Sequence, residues 1–335
     1  MTKRPTIIDV ARQAGVSKST VARVMSDGDH VSLKVVEAVK HAVKKIGYQK
    51  NNLAVSLRSG RSGLIGIVVP DISNPFWAEV ARGAQEAAIS TNYSILIFSS
   101  DWSSEREYKH IQALINTRVD GFVLNKASDH DEPQEIFQFG CPSLLIGTTA
   151  DFYPDKSSVG SDIDQGVGLA LKYLSDCGHH LPKLIVGSER RLARNKFVSA
   201  VNRYYINSDV DTSEIEVENG GYTVEGGKTA MARILERYDG DHLTIFAAND
   251  QMALGAILKI RSAGLDCPKD VSVMGFDGIP AGEFCYPPLT TVAKPARLIG
   301  EYSINALERL IEGDTTISKQ RLECELIQRG SVLQR

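Results

Sequence analysis

From Leu64 onward, short apolar runs alternate with amphipathic helical stretches, and no feature of the chain narrows its fold more. "LIGIVVP" precedes a helical period at Pro75–Ser90, and "SILIFSS" precedes another at Ser104–Thr117. "DGFVLN" and "SLLIGT" follow, and the scheme then starts again. "KLIVG" leads to an arginine-rich period near Arg190–Tyr205, "EIEVE" to Val224–Tyr238 and "LTIFAAND" to Met252–Ser262, before "VSVMGFDG". A helical period at Pro295–Ile311 and a last strand, "RLECELIQR", come at the end. Such alternation predicts parallel sheets covered on both faces. Two sets of strands predict two similar, Rossmann-like lobes, one opening near Leu64 and the other near Asp162.

In open parallel sheets, ligands sit beyond the carboxyl ends of the strands. That rule selects Asp71 to Trp77 (with Asn74 and Phe76), Asp101 and Trp102, Asn125, Arg190 to Lys196, Asn249 and Asp250, and Asp277. Two lobes offering such loops to each other make a cleft. Asp277 and Asn249 can take hydroxyls, and Trp77, Trp102 or Tyr222 can stack on a ring. The plainer alternative is that Asn and Asp end strands and start helices, with Asp250 capping the helix that follows it.

The first sixty residues read differently. They hold eleven Lys and Arg against four Asp and Glu, a net +7, which leaves −10 for the rest of the chain. A small basic head on an acidic body predicts a polyanion partner for the head alone; a solvated basic surface is the competing account. "IIDVARQAGVSKSTVARVM" contains two short helical periods around Gly15. Thr6 can cap the first, with Asp9 as its capping-box partner, and Ser17 can cap the second. Val35, Val36, Val39, Val43 and Ile46 stripe a third period from Ser32, which Gly47 stops. In a helix-turn-helix unit the second helix lies in the major groove. That helix runs from Ser17 to Val24 and offers Lys18, Ser19, Thr20 and Arg23, while Val21 and Val24 face the core. Arg23 suits guanine O6 and N7, and Ser19 and Thr20 suit phosphates or base edges. Lys18 fits either role, and Lys3 and Arg4 suit phosphates. Next comes "YQKNNLAVSLRSGRSG", in which Asn52 to Arg58 is long enough for a turn or two of helix, too short to persist alone. Leu57 is either part of a plain linker docking on the protein body or a wedge that parts base pairs in the minor groove.

Composition removes several function classes. At 335 residues the chain is long enough for two or three domains. The five cysteines are scattered and form no C-x-x-C, which suits a reducing cytoplasm and no cysteine zinc site. No run of eighteen apolar residues predicts a membrane span, and the N-terminus lacks the apolar core of a signal peptide. Phosphate-binding glycine motifs, H-E-x-x-H and G-x-S-x-G are absent, so neither an enzyme nor a bound cofactor is expected. His179 and His180 read as a partly solvated helix end, with no metal expected.

The chain resembles the LacI/GalR family of bacterial transcriptional regulators over essentially its whole length. The resemblance rests on "DVARQAGVSKSTVARV", "GYQKNNLAVSLRSG", "IGIVVPDISNPFWAEVARG", "DGFVLN", "ANDQMALGA", "PKDVSVMGFDG" and "PPLTTV", in that order. It implies an all-α helix-turn-helix headpiece (1–48), a hinge helix and linker (49–62), and an α/β periplasmic-binding-protein-like core (63–335). The N-lobe would take about 63–161 and 291–320, and the C-lobe about 162–290 and 321–335. Lobe crossings are implied near Ser161, Thr290 and Arg321. The family pattern puts Lys18, Ser19 and Arg23 in the groove, with the caps Thr6 and Ser17 and Thr20 beside them. It puts Asn51, Ala54 and the wedge Leu57 in the hinge. Lys50 stands where proline is usual, Val55 where arginine is, and Ala22 where serine is. A more target-dependent hinge and one fewer phosphate contact are therefore expected.

The same resemblance matches Asn74, Asn125, Tyr222, Asn249 and Asp277 to effector positions. In "RRLARNKF" the family arginine is displaced, so Arg191 or Arg194 would serve instead, and the extra cations hint at an acidic or phosphorylated ligand. The implied partners are pseudopalindromic operator double-stranded DNA, a small-molecule effector of carbohydrate type, and a second copy of the chain. Four-subunit members add a leucine-rich helix after the last core strand, so a homodimer in the bacterial cytoplasm, on the nucleoid when bound to operator, is expected, with no membrane partner. Two other functions fit parts of the sequence: a small-molecule binder without a switch, and an architectural DNA-bending protein. Footprinting separates them, because a regulator protects few sites and an architectural protein coats many.

Overall fold

The protein's structure, a computed structural model, describes residues 5–25, 31–48, 60–91, 93–126, 137, 139–147, 153–188, 192–206 and 210–335. The chain divides into two compact units, Met1–Ser62 and Gly63–Arg335. In the first, helices α1 (Ile7–Ala14), α2 (Lys18–Met25) and α3 (Leu33–Ile46) share one apolar core. Thr6 and Asp9 form the expected box: the Asp9 amide donates to Thr6 Oγ1 at 3.4 Å, and the Thr6 amide donates back to the Asp9 carboxylate at 2.9 Å. Gly15 and Gly47 end α1 and α3 in the left-handed conformation. Val10, Val21, Val39 and Ala42 are fully buried. Burying each valine is worth roughly 1.5–3 kcal/mol, so α1 and α2 depend on α3 for most of their stability. Lys3, Arg4 and the hinge positions Lys50, Asn51, Ala54, Val55 and Leu57 lie outside the described residues.

In the second unit, strands numbered β1 to β12 in chain order build two six-stranded sheets. The first holds β1 (Leu64–Val69), β2 (Ser94–Ser99), β3 (Gly121–Leu124), β4 (Ser143–Ile146), β5 (Ser158–Ser161) and β11 (Lys319–Leu322), in the order β2-β1-β3-β4-β5-β11. The second holds β6 (Lys183–Val186), β7 (Val217–Asn219), β8 (Leu243–Ala247), β9 (Val271–Asp277), β10 (Thr290–Ala293) and β12 (Glu325–Ile327), in the order β7-β6-β8-β9-β10-β12. Neighbours run parallel except β10 and β12. The inner strands are buried along their length, as continuous apolar runs covered on both faces require.

Two features differ from the sequence reading. "RLECELIQR" is two strands, not one: Lys319–Leu322 pairs with β5 and Glu325–Ile327 with β10. The return to the first lobe follows Ala293 rather than Thr290, because Thr290–Ala293 hydrogen-bonds along β9. The helix after it, Ala296–Ile311, packs in the first lobe's core with Ile65 and Val80. It crosses the helix Pro75–Ser90 at two glycines. A Cβ on Gly83 would lie 2.1 Å from the Arg297 carbonyl oxygen, and one on Gly300 2.0 Å from that of Val80. Of the histidine pair, His180 is exposed and His179 buried. His179 is stacked on His242 at 5.1 Å, its Nε2 donates to the Leu333 carbonyl at 2.8 Å, and its Nδ1 bonds the Thr244 hydroxyl at 2.9 Å. Among the described residues no helix is long and apolar enough to cross a membrane, and no side-chain cluster suits a metal ion.

Candidate functional site

In the first unit, Ser17 accepts the Thr20 amide at 3.0 Å and so opens α2. Its hydroxyl also bonds the Ser19 and Thr20 hydroxyls, each at 2.8 Å. Val21 and Val24 turn inward, and α2 therefore presents Lys18, Ser19 and Arg23 outward, with Thr20 half-buried. Thr6 is exposed, but its hydroxyl donates to Asp9 at 2.7 Å, so its first task is the cap.

In the second unit, the carboxyl ends of the strands converge on one cavity. Its lining includes Asn74, Phe76, Trp77, Trp102 and Asn125 from the first lobe and Tyr222, Asn249 and Asp277 from the second. Asn74 caps the helix Pro75–Ser90: its carbonyl accepts the Phe76 amide at 3.0 Å while its amide points at Asp277 Oδ2 at 3.5 Å. Asn249 caps the helix Asp250–Ser262, accepting from Met252 at 2.9 Å and donating to the Tyr222 carbonyl at 3.1 Å. Asn125 donates to the Ile146 carbonyl at 2.9 Å. A Cβ on Gly147 would lie 2.5 Å from the Asn125 amide, so that position needs a glycine. These three amides are thus held by the backbone before any ligand arrives.

Trp102 and Tyr222 face each other from the two lobes. Their rings stack with centroids 4.7 Å apart and planes 17° apart. Both residues take the left-handed backbone conformation, at φ 59 and 64. That costs roughly 1–3 kcal/mol each and aims both rings into the cavity.

The charge in the cavity comes from a residue that sequence reasoning missed. Lys294 pairs with Asp277 at 2.5 Å and sits 3.8 Å from the centre of the Phe76 ring. Burial pushes the Asp277 carboxyl up, and the Lys294 charge and the Asn74 amide offset part of that. The strand-end rule finds Lys294 once "TTVA" is read as a strand. Phe197 and Phe276 were missed as well; they pack edge to face at 5.4 Å in the cavity wall.

The arginine-rich stretch behaves otherwise than expected. Ala193 reaches the lining, while Arg194 does not and donates to Asn195 at 3.3 Å. Lys196 and Arg203 both grip Asp164, Lys196 at 2.8 Å. Burial raises that carboxyl, but the two cations outweigh it and hold it below its ordinary value. Arg190 and Arg191 lie outside the described residues. Asp250 is not the helix cap either: that role falls to Asn249, and the Asp250 side chain turns toward Gly278 and Thr291.

Known proteins match both units. Residues 6–51 fit the model of bacterial regulatory proteins of the lacI family, and residues 171–332 fit that of the periplasmic binding protein-like domain. The ribose operon repressor of Escherichia coli (strain K12) is 31% identical over 97% of this chain and 99% of its own. A solved lac repressor dimer, bound to operator and an anti-inducer, superposes with a TM-score of 0.84 at 26% identity, covering 99% of this chain and 100% of that one. The transcriptional regulator CelR in complex with cellobiose gives 0.73 at 28% identity over 98% and 100%. With a basic helix-turn-helix unit joined to a two-lobed ligand cavity, the chain belongs to the LacI family: it is a DNA-binding transcriptional regulator with an effector-binding domain, and not an enzyme.

Proposed function

We propose that this regulator is a repressor that reads a pseudopalindromic operator as a homodimer, and that a neutral sugar or related polyol between its lobes changes its affinity for DNA. One observation carries the ligand class. Among the described residues of the cavity lining, the charged ones, Asp277 and Lys294, neutralise each other, while fixed amides and aromatic faces surround them. Such a site suits hydroxyls and the apolar face of a ring. Among the described cations of the arginine-rich stretch, Arg194 and Lys196 are engaged elsewhere, which favours a neutral ligand over an anionic one. The cellobiose complex and the ribose operon repressor among the relatives point the same way.

In this reading residues 1–48 are the headpiece, 49–62 the hinge and 63–335 the effector core. Lys18, Ser19, Thr20 and Arg23 contact DNA with Thr6 and Ser17 framing their helix, and Asn51, Ala54 and Leu57 engage the minor groove. Asn74, Phe76, Trp77, Trp102, Asn125, Tyr222, Asn249 and Asp277 hold the effector, Lys294 takes the place expected of Arg194, and Arg191, outside the described residues, stays a candidate contact. A short recognition helix reads few bases, which favours two copies on two half-sites in the bacterial cytoplasm, on the nucleoid. The test is a thermal-shift screen of neutral sugars, sugar acids, sugar phosphates and purines, followed by titration of the hits. Neutral sugars should bind, and Asp277→Ala should abolish their binding while leaving operator binding intact. Binding of purines alone, or of phosphorylated sugars alone, would sink the ligand assignment.

A further inference from the structure

We propose that Asp250, which does not itself line the cavity, is the positioning residue that fixes Asp277 and Lys294 for the ligand. The proposal rests on reading the cavity as the effector site. Asp250 is wholly buried behind that cavity. Its Oδ2 accepts the amides of Gly278 and Ile279, both at 2.8 Å, and its Oδ1 accepts the Thr291 hydroxyl at 2.6 Å. Gly278 and Ile279 follow Asp277 directly. Thr291 lies on β10, whose Ala293 pairs with Asp277 and whose next residue is Lys294. Asp250 itself follows Asn249. One carboxylate therefore ties together three chain segments, each of which delivers a polar group to the cavity.

Capping does not explain this side chain, because Asn249 already accepts the Met252 amide. The surroundings are shaped to admit it. A Cβ on Gly275 would lie 2.2 Å from Asp250 Oδ1. Gly278 takes φ 79, and a Cβ there would strike the Ala293 Cβ at 2.5 Å, so β9 and β10 meet closely where the carboxylate joins them. Burying a carboxylate is costly unless donors surround it, and here three do. An apolar replacement would leave two buried amides without an acceptor beside Asp277. Burial and the Asp277 charge push the Asp250 carboxyl up to about 7. An asparagine carbonyl can accept the same two amides, and its amide can donate to the Thr291 hydroxyl.

The experiment compares the full-length parent with Asp250→Ala and Asp250→Asn. Amide exchange is followed across residues 275–294, and D-ribose, cellobiose and a panel of other neutral sugars are titrated calorimetrically. In D250A the Gly278 and Ile279 amides should exchange about tenfold faster or more, and affinity for the sugar that the parent binds should fall about tenfold or more. D250N should keep both within about threefold, with amides elsewhere in the core protected as in the parent. Parent-like exchange in D250A overturns the proposal. So does fast exchange with unchanged affinity, or a D250N protein as impaired as D250A. If D250A does not fold, Thr291→Val removes one of the three bonds. Its sugar affinity should fall about threefold or more, and an unchanged affinity overturns the proposal. A parent that binds no sugar defeats the effector reading instead, and the exchange comparison still decides whether Asp250 holds the end of β9.

Discussion

Trp77 and Trp102 are the two tryptophans of the chain, and both line the cavity. Tryptophan emission, excited selectively over the eleven tyrosines, therefore reports on this site alone. Binding of a sugar should change the emission, and Trp102→Phe should remove most of that change, because Trp102 is the one stacked across the cavity on Tyr222. A response carried wholly by Trp77 would place the ligand away from the stack. The buried carboxylates supply a second prediction. Asp250 has its pKa raised in the folded protein from 3.8 to about 7, so folding favours its protonated form. Its contribution to stability is greatest at low pH and is lost as pH rises from about 4 through 7. The parent's melting temperature should thus fall relative to that of D250N over this window, and a pH-independent difference would contradict it. Residue by residue, the cavity was legible wherever an Asn, Asp or aromatic follows a long apolar run. Lys294 was hidden because its strand is four residues long and carries two threonines. The cations near Arg194 misled because a charge in sequence says nothing of its partner, and Asp164, which holds Lys196, lies on a different helix.

The elements of the head follow from local chemistry. Thr6→Ala removes the side-chain half of the capping box, the acceptor for the Asp9 amide, and should cost the headpiece about 1 kcal/mol, measured as a lower melting transition. Helix pairing in the core follows from something less visible. Gly83 and Gly300 let the helices Pro75–Ser90 and Ala296–Ile311 touch backbone to backbone. Gly83→Ala has ordinary helical geometry to offer yet must part the helices, at roughly 1–3 kcal/mol. A melting temperature equal to the parent's would refute that contact. Strands and helices were legible from their periodicity, but which sheet a strand joins was not. "RLECELIQR" has one continuous pattern, and only the partners β5 and β10 divide it. Pairing depends on distant residues that no local pattern encodes.

At the scale of the whole molecule, charge separation governs DNA binding. With a net +7 on residues 1–60, affinity should fall about a thousandfold between roughly 50 and 200 mM salt if about six phosphates are engaged. A flat response would mean that the head does not meet the phosphate backbone. The strand orders have a mechanical consequence for the effector core. All three passages of the chain between the lobes leave from β5, β10, β11 or β12, at one margin of each sheet. Trp102 and Tyr222 follow β2 and β7, the opposite margins. At about 4.8 Å per strand the two rings stand roughly 24 Å from the outermost passage. The lobes are thus a book bound along one spine, and the aromatic pair is the clasp on its open edge. A swing of about 10° parts the clasp by about 4 Å while barely shifting Lys294 beside the binding. Any such swing would therefore be read at the Trp102–Tyr222 stack long before it was felt at Lys294.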